Sequence, residues 1–517
     1  MHHPAARWAI VALLCLVVAG CSAPFGLGAS STLTVAIGVK PDTLDPAAQT
    51  TTPISQIVNM IVERLVTLDQ EGAVRPLLAT SWHESGDRRT WTFRIRSGVH
   101  FQDGEPLTSA AVQQSFQRLL DPKTPGARPG TLDVISSVVA VNASEVRFRL
   151  RRPFTPFLHA LTSPQAGILA PAALRQVAKH RGHLGTPVGT GPYRLAGEGP
   201  DYVSLRRNGD YWGAAPAYDR QIFRVVPQDS ERGVLLRDGQ VDVALSPPPA
   251  DLEALASPTV GYQVLAEPSD RTLGIAIDTQ DPNVAQLRDP TVRQALNHAV
   301  DLQSIVTGLM AGTATPAQSP LSPVAFGWCS TGTFTYDPAL AQSMLQSAGA
   351  QSMHLTLAAP EGRDAADTTV AQAVAGDLEA IGLRVTVTVE PSWPRYLQQI
   401  TSSAGNASDL ALLGWAPAST DGTEGLAAFT RAGWPPAGLG FSRFDDPTAD
   451  QLIARAASAT GRANRQQALC QASRIIWQAA PAIFLCSRQL TAVAQKGVSG
   501  LHTQPDDALV TTWATPG

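Results

Sequence analysis

Three stretches alternate apolar and polar residues with the period of a half-buried strand: Trp91-Thr92-Phe93-Arg94-Ile95-Arg96, Val146-Arg147-Phe148-Arg149-Leu150-Arg151 and Val385-Thr386-Val387-Thr388-Val389. Their β-branched and aromatic residues suit a pleated surface with one face on a core. Elsewhere the period is helical. Val292, Ala295, Leu296, Ala299 and Val300 fall on one face, with Asp289 placed to cap the first turn and Pro290 at the first helical position. Asp337-Pro338 opens a second such run through Leu340, Met344, Leu345 and Ala348, which Gly349 ends. Asp446-Pro447 opens a third through Leu452, Ile453 and Ala456. Strands and helices follow no regular order, so the chain is mixed α/β. Near residue 268 the pattern breaks. Pro268-Ser269-Asp270 precedes the apolar strand Leu273-Gly274-Ile275-Ala276-Ile277, and a return crossing is expected at 487–495, after Ala482-Ile483-Phe484-Leu485. A chain that leaves one lobe and comes back makes two connections, and paired connections make a hinge.

At 517 residues the chain exceeds a single core, and two to four domains are expected. With 44% hydrophobic and 16% charged residues the composition is that of a globular protein. A net charge of −4 excludes a general electrostatic binder of nucleic acid. No C-x-x-C pair, H-E-x-x-H helix, G-x-S-x-G elbow or P-loop is present, and Gly189-Thr190-Gly191 has Arg194 where a dinucleotide-binding loop has its third glycine. No catalytic constellation, metal site or cofactor is therefore predicted, and an envelope hydrolase ranks last among the readings.

The first 20 residues carry Arg7 and then the apolar run 8–18, too short to span a bilayer and suited to a signal-peptide core. The run ends in Val18-Ala19-Gly20-Cys21, which resembles the lipobox of bacterial lipoproteins. The resemblance implies cleavage before Cys21 and diacylation of its thiol. Residues 22–31 then read as a tether reaching at most about 35 Å, and two or more acyl chains would hold it firmly where one is marginal. Three further cysteines lie beyond. Cys470 and Cys486 are candidates for a disulfide in an oxidising compartment, or are two small buried apolar residues. Cys329 is then free, or partners one of them.

Several blocks together resemble a known family. In order these are Leu78-Ala79-Thr80-Ser81-Trp82, the run from Trp91 through Asp103-Gly104-Glu105-Pro106-Leu107-Thr108, Pro187-Val188-Gly189-Thr190-Gly191-Pro192-Tyr193, Asn208-Gly209-Asp210-Tyr211-Trp212-Gly213, Gly239-Gln240-Val241-Asp242, Val292 through Asp301, and Tyr336-Asp337-Pro338. The set is similar to the extracytoplasmic solute-binding proteins of ABC importers, specifically the large peptide, nickel and opine group, family 5. That resemblance implies a two-lobed periplasmic-binding-protein fold of class II, of the three-subdomain type with paired hinge crossovers. It implies lobe I at 32–50, 181–270 and 489–517, an inserted subdomain at 51–180, and lobe II at 271–488. Most of the blocks read as scaffold. The glycines of 189–193 supply unusual backbone conformations, Trp91, Phe93 and Trp212 belong to the core, and Arg293 is solvated on its helix.

The resemblance also implies how a ligand is held: an extended solute between the lobes, its main chain paired with strand edges. The matching segments place Lys40 and Asp42 in one contact region and Gly414, Trp415 and Ala416 in the other, with Trp393 and Tyr396 just upstream. Two departures stand out. Three residues after Trp415, where family peptide binders commonly carry an Asp for the ligand ammonium, this chain has Ala418, leaving Asp421 as the next candidate. At Leu412, where some members carry a basic residue for the ligand carboxylate, it is apolar. The resulting expectation is a monomeric, lipid-anchored receptor on the outer face of the cell membrane that takes a peptide or peptide-like solute to ABC permease subunits. The alternative is an envelope lipoprotein of the same descent with a regulatory or protein-interaction role and no transport ligand.

Overall fold

The computed structural model describes residues 31–49, 55–127, 130–179, 182–257, 261–402, 408–417, 419–435 and 437–517. The leader at 1–20, Cys21, nearly all of the tether and Ala418 lie outside the described residues. Eleven strands form the largest sheet: β1 (Thr32–Ile37), β2 (Tyr193–Glu198), β3 (Tyr202–Arg207), β4 (Arg220–Val225), β5 (Val243–Leu245), β6 (Tyr262–Ile277), β7 (Ala314–Pro316), β8 (His354–Pro360), β9 (Arg384–Glu390), β10 (Leu410–Trp415) and β11 (Ala482–Gln495). They run in the order β9-β8-β10-β6-β11-β5-β1-β4-β3-β2, with β7 added on β11.

At the near end of this sheet β1 lies parallel to β4 and β5; at the far end β8 lies parallel to β9 and β10. Parallel patches of this kind are covered by helices, and the inner strands β1 and β8 are largely buried while the edge strand β9 alternates. The two ends are joined by one long antiparallel pair, β6 and β11. Residues 262–268 of β6 pair with 489–495 of β11, the register shifts between Pro268 and Thr272, and pairing then resumes. From Thr272 onward β6 also pairs with β10. Ser269, Asp270 and Arg271 fall in the gap, so three polar or charged residues occupy the place where the chain passes from one end to the other. Pro268 lacks the N–H that a continuous ladder would use. This pair is the double crossing that the sequence breaks predict.

The helix caps form as the sequence requires. Asp289 accepts from the Thr291 N–H at 2.8 Å, Asp337 from Leu340 at 2.9 Å, and Asp446 from Thr448 and Ala449 at 2.9 Å each. The first two alternating stretches lie in a separate four-stranded sheet made by Ala79–Glu84, Thr90–Ile95, Glu145–Leu150 and Ile135–Asn142. Its inner face buries Trp91, Phe93, Val146 and Phe148, with Phe93 edge-on to Phe148 at 5.4 Å. The third stretch is β9, at the edge of the large sheet, where Val389 is exposed.

Three sequence expectations change. Arg293 is buried, not solvated: its guanidinium donates to the carbonyls of Leu287, Arg288 and Ala479. Those carbonyls end helical segments and have no partners along their own helices, so a five-donor cation fits them. Gly189 and Gly191 are needed for closeness and not for unusual dihedrals, because a Cβ on either would lie 2.2 Å from the carbonyl oxygen of Ile61 or Met60. The disulfide joins Cys329 to Cys470, with Cα atoms 5.6 Å apart, and Cys486 is a buried free thiol. The helix Arg462–Ala479 turns Cys470 toward the 327–329 segment, where Gln466 also bonds the Trp328 carbonyl at 2.6 Å. Cys486 points instead into the far-end core with Ile483, Leu485 and Leu273.

The bridge spans 141 residues, so Cys329→Ser is expected to lower unfolding free energy by about 3–5 kcal/mol, measured by denaturant titration. Cys486, whose thiol burial pushes up to about 12, is expected to resist thiol reagents until the protein unfolds.

Candidate ligand-binding site

The crossing strands bring charged residues from separate parts of the chain to one place. Arg271 comes from the gap in β6 and Arg488 from β11. The loop after β8 brings Gly362, Arg363 and Asp364 from the far end. Gly38 and Val39 after β1, Ser246 after β5, Arg232, and Asp507 of the C-terminal segment come from the near end. Apart from Arg271, all of these residues line one cavity, together with Leu245, Gln489 and Leu490. About 20 Å³ of it is open to the centres of water-sized molecules, room for about one water. Near and far walls touch at two glycines: a Cβ on Gly38 would fall 1.9 Å from the Gly362 carbonyl oxygen, and one on Gly362 would fall 2.5 Å from that of Pro227. Trp393, Tyr396 and Leu397 of the helix Trp393–Thr401 share a core with Leu33, Phe223 and Val243 of the near end. The structure is therefore a closed one, with opposite walls in contact.

An ion network runs through the crossing. Arg271 Nε donates to Asp507 Oδ2 at 2.7 Å and lies 3.8 Å from Asp364 Oδ1, and Arg488 Nη1 pairs with that same Asp364 oxygen. All four side chains are buried. Burial works against the charge on Asp364, but Arg488, Arg271 and Arg363 outweigh it and hold the carboxyl down at about 2. Burial likewise disfavours charge on Arg271, yet Asp364 and Asp507 leave its pKa raised. Asp367, which accepts from the Asp364 N–H at 2.8 Å, goes the other way: burial and the Asp364 charge push its carboxyl well up.

Arg363 differs from its neighbours. Its guanidinium lies over the Trp393 ring, 5.0 Å from the centroid, and burial lowers its pKa to about 10, so it stays charged at neutral pH. Its Nε and Nη1 are shielded from solvent and have no acceptor. Arg232, by contrast, gives bonds to the carbonyls of Val226, Pro227 and Ser246 at 2.6–2.9 Å.

The residues expected at the site are divided by the structure. Trp393 stacks on Tyr396 at 5.6 Å and carries Arg363, so it stands one residue from the cavity wall. Tyr396 is fully buried, and its hydroxyl donates to Leu412 O at 2.7 Å and lies 3.3 Å from Ala358 O, which fixes the helix on the far-end strands. Leu412 itself is core. Gly414 lends its carbonyl to Arg271 Nη1 at 3.2 Å, which ties β10 to the ion network. Trp415 packs edge-on against Phe429 at 5.2 Å and gives its indole N–H to Pro320 O at 2.7 Å; Ala416 follows it, half-buried. Lys40 pairs with Glu198 at 2.8 Å and with Gly199 O at 3.1 Å, away from the cavity, and Asp42 is not in its lining either.

Asp421 departs most from expectation. It caps the short helix Gly422–Gly425 through the Thr423 N–H at 3.0 Å, and both its oxygens accept from Arg465 Nη2, at 2.9 and 2.7 Å. A carboxylate so engaged is a structural anchor and not a free counter-charge. Sequence reading missed Arg271, Arg363, Asp364, Arg488 and Asp507. The signal was present as charge set against apolar strands, in Asp270-Arg271 before Leu273–Ile277 and in Arg488 just after Leu485.

Comparison with known proteins agrees with this architecture. The profile of bacterial extracellular solute-binding proteins, family 5 (middle region) matches residues 73–435, more than half of the chain. The glutathione-binding protein GsiB of Pectobacterium atrosepticum is 29% identical over 500 residues, covering 95% of this chain and 96% of that protein. A Pseudoalteromonas dipeptide-binding protein in complex with Met-Leu superposes with a TM-score of 0.85 at 24% identity, over 94% of this chain and all of the other. The Helicobacter pylori periplasmic binding protein DppA, in complex with the peptide STSA, gives 0.84 at 24% identity over 94% of this chain and 98% of that one. The fold is the class II periplasmic-binding-protein fold.

Breaking the Asp421–Arg465 pair strands a buried guanidinium. Asp421→Ala is expected to cost about 3–5 kcal/mol in denaturant unfolding while solute affinity of the folded fraction stays within about threefold of wild type.

Proposed function

Because the chain belongs to the bacterial extracellular solute-binding proteins of family 5, we propose that it captures a short peptide or peptide-like solute, with glutathione among the candidates, and passes it to the permease of an ABC importer. It is a solute-binding protein and not an enzyme. Arg363 carries the reading of the ligand. A charged guanidinium on a half-buried residue, with two shielded N–H-bearing nitrogens unpartnered and held over Trp393 at the wall of a cavity between two ends of a sheet, suits a carboxylate. Every short peptide ends in one, and glutathione has two. The names of the relatives supply the same class: glutathione for one, short peptides for others.

The division into lobe I (32–50, 181–270, 489–517), an insert (51–180) and lobe II (271–488) is part of the proposal, and the β6–β11 pair is its hinge. A solute enters with the lobes apart, since the closed cavity has room for about one water. The contacts Gly38 to Gly362 and Arg271 to both Asp364 and Asp507 are then made or remade as the lobes meet. A solute that bridges the walls favours the closed state by its differential affinity for it. Acylation at Cys21 and the 22–31 tether would keep this cycle next to the permease.

Isothermal titration of the purified full chain with glutathione, Met-Leu and Ser-Thr-Ser-Ala tests the reading. One-to-one binding of at least one is expected, with Arg363→Ala weakening it at least about 30-fold. Arg363 also helps to keep the buried Asp364 carboxyl ionised, so some loss of thermal stability is expected, and affinity is read on the folded protein. No binding across this panel, or wild-type affinity in Arg363→Ala, would overturn it.

A further inference from the structure

We infer that the outer face of β2, β3 and β4 docks on an anionic lipid bilayer, through a row of arginines that starts beside the root of the tether. This goes beyond the solute reading and rests on the acylation of Cys21 proposed with it.

Strand register builds the row. Arg194 of β2 lies opposite Arg206 of β3, and Arg206 lies opposite Arg220 of β4. All three stand on one face, because Val203, Leu205 and Phe223 point the other way into the core. Farther along β4, Arg224 stands opposite Tyr202 on the same face as the row. Arg206, Arg220 and Tyr202 are exposed, and Arg194 and Arg224 are half-buried. Like charges directly opposite each other destabilise a sheet. The nearby acids leave most of the row unanswered. Asp210 pairs with Arg194 at 2.9 Å, and Asp219 is taken by Arg207 at 2.5 Å. Glu198 of β2 lies opposite Val203, on the other face, and pairs with Lys40. Among the described residues Arg206, Arg220 and Arg224 form no ion pair, although Arg220 Nε donates to Ser204 Oγ at 3.1 Å.

The tether decides the occupant. Thr32, the first residue of β1, is in register with Arg220, and the Ser31 carbonyl accepts from the Arg220 N–H at 3.1 Å. The segment that leads back to Cys21 therefore joins the fold at the end of the arginine row. Strands lie about 5 Å apart, so the row extends about 15 Å from that point, well inside the tether's reach of about 35 Å. Acyl chains on Cys21 would keep this face within reach of the headgroups. Guanidinium groups pair well with phosphate, and each basic residue at an anionic membrane surface is worth about fivefold in binding. Tyr202 adds an amphipathic ring of the kind found at headgroup level.

The orientation suits capture. Gly38 and Val39, which line the cavity, follow the opposite end of β1, about 20 Å along the strand from Thr32. Docking by the arginine end leaves the cavity end toward the medium, where solute arrives. Salt screens such a contact, so it is loose enough to break for delivery to the permease.

The test is co-sedimentation of the full chain, kept unacylated by Cys21→Ser, with vesicles of phosphatidylcholine alone or with about one-third phosphatidylglycerol. The apolar run at 8–18 is common to every variant, so the ratio between the two vesicles is read. At about 0.1 M salt the anionic vesicles are expected to bind at least about tenfold tighter, and at about 0.5 M the preference is expected to fall below about threefold. Arg206→Gln/Arg220→Gln is expected to lower the preference at least about fivefold, and Arg206→Gln alone at least about twofold. Both relieve like-charge pairs, so melting temperature is expected to hold or rise. Should the double variant not fold, the single one is read. Equal binding to the two vesicles, or a preference unchanged in the variant that is read, overturns the inference. Displacement by millimolar glycerol 3-phosphate also overturns it, since the row would then be a site for a small anion. Solute titration uses no vesicles, so the solute reading stands or falls separately. Incorporation of a labelled fatty acid at Cys21 in the host is measured as well, and its absence overturns the docking role whatever the vesicles give.

Discussion

Charge has to be neutralised where the chain crosses between the ends of its sheet, and much of the molecule is arranged around that requirement. An arginine buried alone costs several kcal/mol, and the same arginine between two carboxylates is tolerable. Arg271 is placed by the broken ladder of β6, and its partners come from elsewhere: Asp507 from the C-terminal segment, Asp364 from the loop after β8. Arg488, on the other crossing strand, closes the set on Asp364. The acids arrive from opposite sides, and in this closed arrangement they neutralise the two arginines together. On the proposed lobe closure, the crossing strands and the contact between the walls share these residues, which would couple the position of the far end to a solvation problem at the centre.

That coupling explains why the site is built of unfinished interactions. A fully paired cleft would be a stable closed protein with no use for a solute. Here the network is complete for Arg271, Asp364 and Asp507 and incomplete for Arg363 and Asp270. The first group holds the geometry; the second leaves one cation and one acid in want of partners. A solute carboxylate, as proposed, would supply the partner that Arg363 lacks. Natural proteins keep such unsatisfied groups where function needs them and make up the stability in the surrounding core.

Local chemistry was readable from the sequence and assembled chemistry was not. The Asp-Pro caps at 289, 337 and 446, the alternation of Phe93 with its neighbours and the break at Pro268 each depend on residues within one turn or one strand, and each took the form the pattern required. The ordered blocks carried the family, and with it the fold. The cleft draws on five or more separate segments, so the meaning of Arg363 or Asp507 depends on burial that no local pattern records. Asp421 shows the limit from the other side. Its position after Trp415 suggested a ligand anchor, but Arg465, 44 residues on, takes both its oxygens. Arg293 and Cys486 were misplaced for the same reason: their partners, or their lack of them, are tertiary.

The two carboxylates near Trp415 also separate stability from recognition. Asp421 is paired, capped and committed, so changing it acts on folding. Asp270 is buried, and neither of its carboxylate oxygens is hydrogen-bonded. A group that is costly to bury and unrewarded by its own chain is maintained for something the chain does not contain.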